Sequence, residues 1–293
     1  MRVLDLFSGI GGFSLGLERA GMETVAFCEF DEHARKVLQK HWPDVPIHND
    51  VRELDGKQYR GTVDVVCGGF PCQDISIAGK NAGINGERSG LWCEFKRIID
   101  EARPRYAIIE NVSALLGRGL SQVLQDLAEI GYDAAWTTYD SQFFGVPQRR
   151  RRVYIVAVRD GISTDADIFE INKRSTKECR QQVEYHKESR RGDIAPRKGK
   201  RQGFAFFTRQ RSDEFNQCGL SGTLAKRDYK SFTDLVIGPD NELRRVTPRE
   251  RLLLQGFESS WLDGLDLTDK QKFSFNGMTV NVVDYIGRLI YEI

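Results

Sequence analysis

The chain has 293 residues, 40% of them hydrophobic and 29% charged, with a formal net charge of +1. These values describe a soluble globular protein long enough for one large domain or two modest ones. No run of eighteen apolar residues is present, so no membrane span is expected. Cys28, Cys67, Cys72, Cys93, Cys179 and Cys218 are scattered without CxxC spacing, which gives neither a metal site nor a disulfide framework and suits free thiols in a reducing cytoplasm. The charge is unevenly spread: 15 of the 43 basic and 21 of the 42 acidic residues fall in residues 1–146. An acidic first half joined to a basic second half suits a catalytic body with a polyanion-binding extension.

The first 158 residues alternate strand-like and helix-like segments. Residues 2–7 read as a strand entering a glycine turn, residues 12–20 as a helix, 24–28 as a strand and 31–41 as a helix with Asp31 near its start. Strands follow at 63–67 and 106–109, helices at 91–102 and 120–130, and strands again at 134–139 and 153–158. Repeated βα units of this length predict an α/β fold, a doubly wound, mostly parallel sheet of Rossmann type. Ligands of such sheets collect at the carboxyl ends of the strands. Beyond Val158 the periodicity fades. Residues 187–201 hold seven Lys and Arg against two acids, and short strand-like pieces follow at 203–208 and 234–237. Thr247-Pro248 then signals the start of a helix.

Two groups of residues carry chemistry. In the first, Asp5-Leu6-Phe7-Ser8-Gly9-Ile10-Gly11-Gly12-Phe13 is a strand, a glycine turn and a helix start. Such a turn lets main chain pass close to a ligand and offers it free N–H groups. Glu29, ending the second strand, is placed to accept from ribose hydroxyls; Phe30 can lie against an adenine face, and Asp50 can accept from an adenine amine. Together they suggest an adenosine cofactor. In the second group, Gly68-Gly69-Phe70-Pro71-Cys72-Gln73-Asp74-Ile75-Ser76 ends a strand abruptly, so Cys72 faces a cleft, unlike Cys67 inside the strand. Glu110-Asn111-Val112 ends the neighbouring strand, and a thiol beside a carboxyl makes a nucleophile and acid pair. The polar, glycine-containing segment 73–90 reads as a lid.

These motifs, with Gln148-Arg149-Arg150-Arg151-Arg152 and residues 244–256, stand in the order found in the DNA cytosine-5 methyltransferases, which the chain resembles over most of its length. The resemblance implies a Rossmann-like catalytic domain from residues 1–158 and 272–293. A small, irregular, mostly β target-recognition domain would occupy 159–271. It implies S-adenosyl-L-methionine as cofactor, held by Phe7, Gly9, Gly11 and Gly12, by Glu29, Phe30, Asp50 and Val51, and by Pro71 and Asn276. It also implies that Cys72 adds to C6 of a flipped cytosine, that Glu110 binds the ring at N3 and the exocyclic amine, and that Asn111 orients the turn. Gln148, Arg150 and Arg152 match the family's Gln-x-Arg-x-Arg pattern and share one face by strand alternation, the arginine pair serving the cytosine O2 and a phosphate. Gln73 and Ser76, and Thr223 and Leu224 of Ser221-Gly222-Thr223-Leu224, are the remaining DNA contacts implied.

The expected substrate is duplex DNA, with a monomeric, cytoplasmic enzyme and, as partner, a cognate restriction endonuclease. Near the C-terminus the pattern departs from its relatives. Phe273-Ser274-Phe275-Asn276-Gly277-Met278-Thr279-Val280 places Phe275 where a glycine stands in them, or in another register Met278 in place of the asparagine. If that glycine serves a positive φ or close packing on the cofactor, Phe275 would displace main chain or weaken cofactor binding. Two other functions therefore stand beside the first: methylation of tRNA cytosine by the same fold, and sequence-specific DNA binding with impaired catalysis.

Overall fold

The computed structural model describes residues 1–71, 90–161, 205–208, 215–216, 220–224, 234–237 and 242–291. The chain divides into two compact units. One comprises Met1–Tyr139, Arg151–Phe169 and Val283–Ile293; the other comprises Asp140–Arg150 and Glu170–Val282. Among the described residues no helix is long and apolar enough to cross a membrane, and no group of His, Cys, Asp and Glu is placed to hold a metal.

The first unit is built on a seven-stranded sheet in the order β3-β2-β1-β4-β5-β7-β6. The strands are β1 (Arg2–Leu6), β2 (Glu23–Cys28), β3 (Ile47–His48), β4 (Val65–Gly69), β5 (Tyr106–Val112), β6 (Tyr132–Asp140) and β7 (Arg151–Arg159). Strands β3 to β5 pair in parallel through β2, β1 and β4, whereas β7 runs antiparallel to β5. Apolar runs such as Val3, Leu4 and Leu6, or Ala107, Ile108 and Ile109, are wholly buried, as strands covered on both faces must be. The helices α1 (Gly12–Arg19), α2 (Glu32–His41), α3 (Gly90–Ala102), α4 (Leu115–Arg118) and α5 (Leu120–Glu129) fall between the strands in sequence. Helix α2 starts where Asp31 accepts from the main-chain N–H groups of His33 and Ala34.

Three strands differ from the sequence expectation in ways that bear on the site. Strand β5 runs on to Val112 where sequence placed its end at Ile109. Its antiparallel neighbour β7 keeps supplying hydrogen bonds through the pairs Glu110↔Tyr154 and Val112↔Arg152. For the same reason β7 begins at Arg151, inside the arginine run. Strand β4 likewise extends through Gly68 and Gly69, its pairing with β5 lasting to Gly69↔Glu110.

The second unit contains a four-stranded antiparallel sheet in the order β11-β10-β8-β9, with β8 at Ala205–Thr208, β9 at Phe215–Asn216, β10 at Asp234–Ile237 and β11 at Leu243–Arg245. Leu224, Val236, Val246 and Leu254 form a small buried cluster there. Helix α6 (Pro248–Leu254) carries a complete capping box, Thr247 with Glu250, and α7 (Asp269–Ser274) another, Thr268 with Gln271. The last helix, α8, covers Val280–Tyr291.

Candidate active site

In the first unit, β1 delivers its carboxyl end to a tight turn. Phe7, Gly9 and Gly11 all have positive φ, at 54°, 56° and 87°. Gly11 is required twice over: besides its φ, a Cβ there would lie 2.5 Å from the Trp42 ring. Phe7 is the non-glycine member, and its ring packs against Phe95 with centroids 6.0 Å apart. The main chain at Ser8 is held by its N–H donating to Cys28 O, and Gly11 N donates back to Ser8 O at 2.9 Å.

Two acids organise this turn. Glu29 accepts from Gly9 N through Oε2 and from Asp31 N through Oε1, each at 2.7 Å. Asp5, wholly buried, accepts from the Ser14 N–H at 3.2 Å and hydroxyl at 2.8 Å, tying β1 to the first turn of α1. Burial raises the Asp5 pKa to about 7 against the Ser14 hydrogen bonds that lower it. Asp5 lies within the motif that sequence quoted, yet its role passed unnoticed because a strand-end acid beside a glycine turn reads as solvated. Arg35 was missed as well: its Nη1 donates to the carbonyls of Glu29 and Phe30 at 3.0 and 2.6 Å, and between them Phe30 leaves its ring 73% exposed. Asp50 sits past β3, both its oxygens accepting from the Arg52 guanidinium, whose hydrogen bonds hold the carboxyl below its usual range. Val51 is buried beside it.

At the carboxyl end of β5, Glu110 Oε1 lies 3.2 Å from Arg152 Nε, both side chains about one-eighth exposed. The contact is one of charge, since Oε1 makes no hydrogen bond. Glu110 Oε2 stands over Gly69, where a Cβ would come within 2.9 Å of it, so the glycine makes the room the carboxylate occupies. Asn111 is buried; its Nδ2 donates to Phe70 O at 3.2 Å and its Oδ1 accepts from Val112 N at 2.8 Å. It thus clamps the end of β4 to β5 one residue before Pro71. Cys72, Gln73 and Ser76, with the rest of the segment 73–90 except Gly90, lie outside the described residues. The other strand thiols are poor nucleophiles. Burial pushes Cys28 up to about 12 and Cys67 well above its ordinary range.

Through the arginine run burial alternates: Gln148 and Arg150 are buried and Arg152 nearly so, whereas Arg149 and Arg151 are exposed. Gln148 has no accessible surface. Within the second unit, Arg149 N donates to Ser221 O and Ser221 N to Pro147 O, each at 2.8 Å, and Thr223 Oγ1 donates to Arg149 O at 3.0 Å. Arg150 Nη1 donates to Asn276 Oδ1 at 3.2 Å, and Asn276 Nδ2 donates to the carbonyl of the buried Leu224 at 2.6 Å. Asn276 therefore links two segments that sequence assigned to DNA. Phe275 does not strain the chain: its φ is −71°, ordinary extended backbone, and its side chain is buried. This position does not use the positive φ that would demand glycine.

Comparison with known proteins gives this geometry its kin. The family model for C-5 cytosine-specific DNA methylases matches residues 1–292. The Escherichia coli type II methyltransferase M.Eco47II is 41% identical over 171 residues, covering 56% of this chain and 41% of that protein. The chain thus spans well under half of that relative's length. The type II methyltransferase M1.ScrFI of Lactococcus lactis subsp. cremoris is 32% identical over all of this chain and 78% of its own length. Among solved structures the DNMT2 of Spodoptera frugiperda superposes with a TM-score of 0.71 over 99% of both chains; at 17% identity the likeness is one of fold. The match over the whole chain, on a sheet of this strand order, shows that the protein belongs to the C-5 cytosine-specific DNA methylase family.

Proposed function

We propose that the chain methylates C5 of a flipped cytosine in a short, specific duplex DNA sequence, with Cys72 as the nucleophile that adds to C6. The observation that supports it most directly is the Glu110–Arg152 pair standing over Gly69, beside the strand end that leads to Cys72. Attack by the thiolate at C6 converts the ring to an enamine, nucleophilic at C5; loss of the C5 proton then expels Cys72 and restores the aromatic ring. Glu110 accepts from the exocyclic amine and shares a proton at N3, offsetting charge as sulfur adds. Arg152 fixes that carboxylate and offers its remaining donors to the cytosine O2. Asn111 keeps the two strand ends in register through Phe70 O. The turn suits S-adenosyl-L-methionine, the methyl donor of this family. Glu29 sets a carboxylate at the glycine turn, where ribose hydroxyls would donate to it, Phe30 presents an exposed ring, and Asp50 with Val51 pairs a carboxylate with a main-chain N–H, as an adenine edge requires. When bound, the donor supplies an electrophilic methyl group on a sulfonium.

In this reading residues 1–158 and 272–293 perform catalysis and 159–271 choose the sequence, phosphates drawing the DNA and base contacts selecting it. The enzyme acts as a cytoplasmic monomer, and the type II designation of its relatives suggests a cognate restriction endonuclease as partner. The test is transfer of a labelled methyl group from S-adenosyl-L-methionine to mixed-sequence duplex DNA and to total tRNA, with Cys72→Ala alongside. Label recovered as 5-methylcytosine in duplex DNA with the native chain alone is the expected result. Sequence-specific binding without incorporation would replace the enzyme with a DNA-binding protein.

A further inference from the structure

We propose that Arg97, on α3, is a positioning residue for the purine end of the methyl-donor site, acting through one peptide plane on the carboxylate of Asp50. The inference rests on the reading of Asp50 as the acceptor for the adenine amine. Arg97 spends its guanidinium on four partners. Nη2 donates to Val51 O at 2.8 Å and Nη1 to Leu54 O at 2.9 Å. Nε donates to Glu94 Oε2 at 2.7 Å and Nη1 to Glu101 Oε2 at 2.9 Å. The two glutamates lie on its own helix, three residues before and four after, so they lock the fork in one orientation. Glu101 also accepts from Gly56 N at 2.8 Å, and Gly56 has no room for a Cβ, which would lie 2.9 Å from Glu101. Helix α3 is thereby pressed against the far end of the same turn.

The side chains of Val51 and Leu54 are already buried in the core. What the core does not fix is the rotation of the peptide groups between them. A trans peptide is planar, with C=O and N–H pointing opposite ways. Holding Val51 O therefore aims the N–H of Arg52, and that N–H donates to Asp50 Oδ1 at 3.0 Å. The Arg52 side chain grips the same carboxylate from solvent, 62% exposed; the main-chain N–H is the partner that Arg97 governs. An ammonium on a flexible stem cannot span both carbonyls as the planar fork does.

The experiment measures equilibrium binding of S-adenosylhomocysteine and its 6-deamino purine analogue by calorimetry, on the native chain and on Arg97→Lys, Asp50→Ala and Lys96→Ala. The purine analogue carries hydrogen in place of the exocyclic amine and keeps N1 an acceptor, so the ratio of the two affinities reads the Asp50 contact. The ratio should fall about tenfold in Arg97→Lys, the size of one misdirected hydrogen bond to a charged acceptor, and vanish in Asp50→Ala. Lys96→Ala, on the same helix as Arg97, breaks pairs with Asp126 and Glu129 of α5 and should leave it unchanged. Arg97→Lys keeps the charge that Glu94 and Glu101 require, and its thermal midpoint checks that it is folded. A native ratio in a folded Arg97→Lys, with the ratio lost in Asp50→Ala, overturns the role of Arg97. A ratio that survives Asp50→Ala overturns the adenine reading and the role of Arg97 together.

Discussion

The first unit places charge at its strand ends, whereas in the second hydroxyls and amides join several segments, beside surface ion pairs such as Arg244–Glu250 and Arg249–Asp263. Glu110 faces Arg152, Glu29 holds the glycine turn, and Asp5 lies wholly buried beneath it. In the second unit Asn276 joins Arg150 to Leu224, Ser141 meets Thr279, and Asn281 donates to Phe144 O. Arg150 and Arg152 make the contrast sharpest. Two residues apart on one alternating run, both turn inward, yet one meets a carboxylate and the other a neutral amide. Polar groups that must change charge or share protons with a ligand are costly to bury and belong where chemistry repays them. Groups that only hold the chain are better neutral. Changes at Glu110 and Asp5 should therefore alter activity or pH response, and changes to the Ser141–Thr279 contact should alter stability alone.

The largest effect is expected from Glu110→Gln. The amide can still accept a hydrogen bond but shares no proton at N3, so single-turnover methyl transfer should fall by about 10²–10⁴, the usual worth of a positioned acid. It also leaves Arg152 largely buried without its counter-charge, a loss of up to about 3–5 kcal/mol in unfolding free energy. Affinity for duplex DNA should change little. A Glu110→Gln enzyme that transfers methyl at the native rate would remove the carboxylate from catalysis and dissolve the contrast between the units.

The next effect separates them by pH. Asp5 has its pKa raised from 3.8 to about 7 by burial. Between those values the folded state holds a proton that the unfolded state has released, so stability falls as pH rises through the window and levels off above it. The slope is about 1.4 kcal/mol per pH unit at most. Asp5→Asn keeps an acceptor for Ser14 and carries no charge. Its thermal midpoint should vary less than the native one from pH 4 to 7 and lie above it at pH 8. Equal slopes for the two proteins would mean that Asp5 is ionised throughout and that burial is offset by Ser14.

Much of this site was legible because its signals are local. Gly11, Gly69, Glu29 and Glu110 announce themselves by spacing: glycines where main chain must bend or approach, acids one or two residues past an apolar strand. Alternation likewise foretold which members of the arginine run turn inward. The edges of β5 and β7 were not legible, since Glu110, Asn111 and Arg151 are polar and only the antiparallel partner makes them strand. Arg97 was invisible for a related reason. Its carbonyl partners lie 46 and 43 residues away, and on a helix surface an arginine between two glutamates reads as a solvated ion-pair stripe. Phe275 misled in the opposite direction, by lending weight to a backbone conformation that the position does not adopt.

The smallest effect tests the neutral side of the comparison. Ser141 Oγ and Thr279 Oγ1 lie 2.6 Å apart and both residues are buried; Ser141 Oγ also donates to Arg150 O at 3.2 Å. Thr279→Val removes one hydroxyl and keeps the shape, while Ser141 retains its carbonyl partner. The loss should be about 1 kcal/mol, the net worth of a single buried hydrogen bond. Neither group titrates between pH 5 and 8, so the loss should be the same at both. The double change with Ser141→Ala should cost less than the two single changes summed, because they share one bond. A loss that varied with pH would mean that the Ser141–Thr279 pair is coupled to an ionising group, and the division between a charged unit and a neutral one would have to be redrawn around it.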